Sequence, residues 1–172
     1  MDSLPNDLQN QLINIKNDEL EQFTLNGLST IGKIVDIYDG DTCRIILIFH
    51  NTLYKFNCRL LGLDTPEIKP LKSKINRDEE IKNAHLCKNK LLNLSTSCEC
   101  DDNIIMTKSQ CKKLLELNNK IINIECFNFD KYGRLLVKLY INNDLSISVN
   151  EILVNEGYAK SYDGGKKEQF TY

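Results

Sequence analysis

Residues 31 to 64, IGKIVDIYDGDTCRIILIFHNTLYKFNCRLLGLD, restrict this chain's fold more than any other stretch: they are rich in β-branched and aromatic residues, with turn signals at Asp39-Gly40 and His50-Asn51. Period-two patterning of this kind between turn signals reads as strands. It predicts three consecutive antiparallel strands, at about 32 to 38, 42 to 49 and 53 to 61. Two later segments, KIINIECF and RLLVKLYI, flank the turn NFDKYG and supply strands four and five.

Helical signals fall between and after these strands. Asp78 to Asn93 carries Ile81, Ala84, His85 and Leu92 on one stripe. Residues 107 to 118 suggest a second helix capped by Thr107. In SVNEILVNEG, Ser148 and Glu151 form a capping box and Gly157 stands where a helix should stop. A meander of three strands plus a hairpin, with helices after strand three and after strand five, matches an α+β fold: a five-stranded OB-type Greek-key barrel with packed helices.

The chain has 172 residues, enough for one domain, assigned to 31–172, and a short extension, 1–30. Within the extension Leu4, Leu8, Leu12 and Ile15 recur at helical spacing behind Pro5, predicting an amphipathic helix at about 5 to 16 that docks on the barrel. Residues 94 to 118 read as an exposed insertion carrying Cys98, Cys100 and Cys111. One C-x-C with a single further cysteine lacks the paired spacing of strong zinc motifs.

Net charge is −2, so no overall field draws nucleic acid to the chain and any such binding needs a local site. Seven cysteines, an odd number scattered through hydrophobic strands, together with a start, MDSLPNDLQN, that has no basic-then-apolar leader, point to free thiols in an intracellular, cytoplasmic setting. No apolar run approaches membrane-spanning length, and a monomer is expected.

Strand three places Tyr54, Phe56, Cys58 and Leu60 on one face, which leaves Arg59 on the other with Lys55 and Asn57. Strand five likewise sets Leu135, Val137, Leu139 and Ile141 opposite Arg134 and Lys138. Two arginines on rigid strands therefore lie near two carboxylate-rich turns, Asp39-Gly40-Asp41-Thr42 and Asp64-Thr65-Pro66-Glu67. Carboxylates converging from two turns suit calcium or magnesium, a spare carboxylate suits water activation, and arginine forks suit phosphate oxygens. The histidines, His50 and His85, have no partner motif around them.

The segments YDGDT, RLLGLDTPE, FDKYGR and VNEILVNEGYAK occur in the order that characterises the staphylococcal nuclease-like family, and the resemblance spans about residues 31 to 163. It implies an OB-fold calcium-dependent nuclease that hydrolyses DNA and RNA, single-stranded or locally opened, and leaves 3′-phosphate ends. By resemblance Asp41, Asp64 and the Thr65 carbonyl are the calcium ligands, with Asp39 in the outer shell. Glu67 corresponds to the carboxylate that positions water, and Arg59 and Arg134 to the phosphate-binding arginines. Lys131, Tyr132 and Tyr162 resemble residues of the nucleotide pocket. The chain departs from the best-known members by its longer 94–118 segment, its amino-terminal extension, and a last stretch, YDGGKKEQFTY, without a further amphipathic helix. The alternative is a catalytically inactive OB-fold module that binds nucleic acid or protein. Such a copy should lack at least one of Asp41, Arg59, Asp64, Glu67 and Arg134, and all are present.

Overall fold

A computed structural model describes residues 6–98, 101, 104–165 and 170. The first hairpins form as the alternation predicts. Strand β1 (Ser29–Ile37) pairs with β2 (Thr42–Phe49), and β2 with β3 (Thr52–Leu60), all antiparallel. His50 and Asn51 carry φ of 47° and 57° in the two-residue connection between β2 and β3, the left-handed geometry that tight hairpins demand. Two short strands belong outside the barrel: β4 (Leu63–Asp64) and β7 (Lys160–Ser161) pair antiparallel, Leu63 opposite Ser161.

Strands β5 (Ile122–Phe129) and β6 (Leu135–Tyr140) form the second hairpin, and two contacts close the barrel. β1 pairs antiparallel with β5, and β3 pairs parallel with β6, setting Arg59 beside Leu136. The closed order β1-β2-β3-β6-β5 is that of an OB-fold, so the α+β class expected from the sequence is the class observed. Inward positions of every strand fill the interior: Ile34, Ile45, Leu47, Cys58, Leu60, Ile124, Cys126, Leu135, Val137 and Leu139 are all buried. Closure matters because it encloses the inner face of every strand and leaves the barrel strands paired along their edges.

Four helices complete the described structure. Helix α1 (Asn6–Asn14) precedes the barrel, and α2 (Arg77–Ser95) follows β4 and buries Ala84, Cys87, Leu91 and Leu92. Helix α3 (Lys108–Asn118) begins at the expected Thr107 cap, which accepts from the Gln110 amide. Helix α4 (Val149–Asn155) begins at the Ser148 and Glu151 capping box. Buried Asn150 pins α4 to the barrel: its Oδ1 accepts from the Leu139 amide at 3.2 Å, and its Nδ2 donates to the Leu61 and Val137 carbonyls at 2.8 and 3.0 Å.

Two expectations are corrected. Helix α1 forms, but its stripe is not docked: Leu8 is 52% and Leu12 76% exposed, and among the described residues Leu25 is the first to enter the core. The segment 94–118 is not an exposed insertion. Its α3 packs on β1 with Cys111 and Leu115 in the core, so the burial expected of the extension comes from here. Cys111 thus behaves as a small apolar residue, while Cys100 lies outside the described residues. Among the described residues no helix is long and apolar enough to cross a membrane.

Candidate active site

The site sits where β3, the β1–β2 turn and the β5–β6 turn meet. Arg59 leaves β3 on the face opposite Cys58 and Leu60, and its guanidinium reaches two acidic groups. Nη1 lies 2.5 Å from Asp41 Oδ2 and Nη2 lies 3.2 Å from Asp64 Oδ1, with the Leu63 carbonyl at 3.3 Å. Asp41 is itself fixed: its carbonyl accepts from the Leu60 amide at 2.8 Å, and its Oδ1 accepts from the Thr42 hydroxyl at 2.7 Å.

Arg134 joins the same network from the other side. Its Nη1 donates to Thr42 Oγ1 at 3.1 Å, while Nε and Nη2 both reach Asp130 Oδ2 at 2.8 Å. The other Asp130 oxygen accepts from the Tyr132 and Arg134 amides, each at 2.9 Å. One carboxylate thereby shapes the FDKYGR turn and aims the arginine. Burial pushes the Asp130 carboxyl up, but the hydrogen bonds from Arg134 and Tyr132 and the Arg134 charge outweigh it and hold the group below its ordinary value. Tyr132 projects into solvent, with the Arg134 guanidinium 5.5 Å and Lys131 Nζ 5.1 Å from its ring centre.

Gly40 brings the acidic turns together. A Cβ there would stand 2.2 Å from Cys87 Sγ and 3.0 Å from Thr65 Cγ2, so only glycine lets the 39–41 turn lie against α2 and the 64–67 loop. Thr65 is buried behind that contact, and Glu67 is exposed. Glu80 steadies the loop: almost fully buried on α2, it accepts the Glu67 amide at 3.3 Å and pairs with Lys74.

These groups line a cleft of about 780 Å³. Its lining includes Asp39, Asp41, Arg59, Thr65, Glu67, Lys131, Tyr132, Arg134 and Tyr162. Nine of the residues singled out from the sequence therefore share one cavity. Asp64 is the one that does not line it, and it is held through Arg59. Tyr162 arrives because β7 pairs with β4, and its amide donates to the Gly62 carbonyl at 2.9 Å. Asp130 and Glu80 were not foreseen, although Asp130 stands in the turn motif itself.

The donor set suits a hard cation. Burial first, then the Asp41 carboxylate and a hydrogen bond with it, then Glu67, raise the Asp39 titration to about 7. Asp39 Oδ1 is enclosed without a hydrogen-bond partner. Crowded negative charge with an orphaned oxygen is what a calcium ion would relieve. In this conformation Arg59 stands between Asp41 and Asp64, and no group of three or more acidic, histidine or cysteine residues among those described is arranged around a metal position.

The closed OB-fold barrel, with a cleft that gathers carboxylates and two arginine forks, is a nuclease-type fold. A model of the staphylococcal nuclease homologue family matches residues 57–172, most of the chain, and the chain belongs to that family. It is also 35% identical over 139 residues to an uncharacterized protein, MJ1439, of Methanocaldococcus jannaschii. That match covers 76% of this chain and 58% of the relative, so the chain spans little more than half of that protein's length.

Proposed function

We propose that this protein is a calcium-dependent nuclease that hydrolyses phosphodiester bonds of DNA and RNA, single-stranded or locally opened, and leaves 3′-phosphate ends. The observation that carries the reading is the continuous network Arg134–Thr42–Asp41–Arg59–Asp64 along a cleft that also holds Glu67. Asp41, Asp64 and the Thr65 carbonyl would hold the ion, with Asp39 beside them, and the bound ion would supply Lewis-acid stabilisation of phosphate charge.

The chain's own groups account for the rest. Glu67 orients a water molecule and accepts its proton as the water oxygen bonds to phosphorus. The bond from phosphorus to the 5′ oxygen breaks, and that oxygen leaves with the bonding pair and takes a proton from solvent, giving a 3′-phosphate and a 5′-hydroxyl. Arg134, aimed by Asp130, and Arg59 donate to the phosphoryl oxygens as they gain charge. Lys131, Tyr132 and Tyr162 seat the nucleotide. Free cysteines among the described residues, five of the six buried, suit action in a reducing intracellular compartment.

A binding-only module is the second reading, favoured by the Arg59 guanidinium standing between Asp41 and Asp64. Labelled single-stranded DNA and RNA incubated with calcium, magnesium or excess chelator separate the two. The nuclease reading predicts cleavage that calcium supports best and chelator abolishes. Binding without cleavage in every condition would favour the module.

A further inference from the structure

A second cleft, of about 640 Å³, opens beside the active one and shares Tyr38, Thr42, Tyr132 and Arg134 with it. Its remaining charged and polar lining includes residues that the catalytic reading does not use: Asp36, Arg44 and Asn57 on the barrel, His85 and Lys88 on α2, and Lys108 at the start of α3. Lys88 is the unusual member. It is 7% exposed, yet it forms no ion pair or hydrogen bond among the described residues. Its stem is buried, but its ammonium is not among the enclosed side-chain atoms, so the charge reaches the cleft with no partner among the described residues to neutralise it. His85 offers no compensation: burial and then the Lys88 charge push its titration down, which keeps the ring neutral, and its Nδ1 is enclosed without a partner.

The carboxylate lining this cleft, Asp36, is already oversubscribed. Its Oδ2 faces Arg44 at 3.7 Å and Lys108 and Lys112 at 3.9 Å each, long contacts in which no cation is held tightly. Arg44, Lys88 and Lys108 against one carboxylate leave net positive charge in a concave site that opens directly onto Arg134. At the junction Tyr38 and Tyr132 are both well exposed, and such rings give bases a stacking surface. A polyanion with one phosphate at Arg134 meets the second cleft as its continuation.

We propose, building on the nuclease reading, that this second cleft binds the backbone phosphate of a nucleotide neighbouring the one at the scissile bond. Lys88 and Lys108 contact that phosphate, and the Tyr38 and Tyr132 rings carry the intervening base. The α3 segment therefore lengthens the enzyme's footprint on a single strand as well as filling the core.

The test compares the full chain with Lys88→Met, which keeps the buried stem, and Lys108→Glu at a position exposed enough to tolerate change. Binding of a fluorescent 12-nucleotide single strand is followed by anisotropy against salt, and hydrolysis of that strand is set beside hydrolysis of a dinucleotide. Each variant should weaken 12-mer binding and raise its KM by about tenfold. The dinucleotide KM should move less than twofold, and the salt slope should fall by about 0.7 for each phosphate that the variant no longer neutralises. Unchanged 12-mer affinity in both variants would overturn the proposal, as would equal damage to long and short substrates. If the protein cleaves nothing, the anisotropy arm still decides: weaker 12-mer binding by the variants supports the subsite while the nuclease reading alone fails. Inorganic phosphate that blocks the 12-mer no better in the full chain than in Lys88→Met would also contradict the site.

Discussion

Arg134 and Glu67 differ from the residues that only hold the barrel, because one is aimed by Asp130 into the cleft and the other stands exposed at its edge. Arg134→Ala removes a fork that should strengthen its hold as the phosphoryl oxygens gain charge, and Glu67→Gln removes the proton acceptor. Each should lower kcat by on the order of 10² or more, with KM changing far less. Near-normal turnover in folded protein would refute these roles. Asp130 gives a pH-dependent prediction. A carboxyl whose titration folding lowers stabilises the native state above its unfolded value of about 3.9, and that contribution is lost as pH falls through the lower folded value. Asp130→Asn should therefore melt below the parent chain at pH 7, the gap closing as the pH drops below about 4; a constant gap from pH 7 to pH 3 would rule this out. Arg59 was legible from strand alternation and the acidic turns from their motifs, whereas Arg134, expected on strand five, stands just before β6 in the turn that Asp130 shapes. Asp130 was not legible, since four residues of separation mean contact on a helix but nothing in particular across a turn. Glu80 was hidden for a different reason: an acidic residue in a first helical turn reads as solvated, and only the fold shows it almost fully buried under the 64–74 loop.

At the scale of elements, α3 and α1 exchange the parts that their patterns suggest. Leu115 is fully buried beneath α3, so Leu115→Ala should cost about 2 to 5 kcal/mol, read as a lowered melting temperature. A loss under 0.5 kcal/mol would mean that α3 is not part of the core. Helix α1 keeps its leucines exposed, and a chain beginning at Glu21 should melt within about 2 °C of the full chain. A substantially lower melting temperature would mean that the stripe docks after all. Both helices carry apolar stripes of similar spacing, and periodicity alone says only that a face is apolar, never which surface receives it. The β4–β7 pair was illegible too, since two-residue strands have no period to detect. The caps at Thr107 and Ser148 were legible because a cap is a local hydrogen-bond geometry, complete within four residues.

At the scale of the whole molecule, a chain with net charge −2 still lines two adjoining clefts, which share Arg134 and Tyr132, with Arg44, Arg59, Lys88, Lys108, Lys131 and Arg134. The barrel was readable because alternation and turn signals leave few ways to close five strands. The joining of the clefts depends on where α2 and α3 settle, which no local signal encodes. The central claim is that the cleft with Arg59, Glu67 and Arg134 hydrolyses a phosphodiester bond with water activated beside a calcium site. The most direct measurement is product-end analysis of a 5′-labelled single strand cleaved in calcium by the parent chain and by Glu67→Gln. The account predicts fragments with 3′-phosphate ends from the parent chain, formed at least about 10² times more slowly by the variant and not at all in excess chelator. Fragments ending in 3′-hydroxyl, or equal cleavage by Glu67→Gln or in chelator, would contradict it.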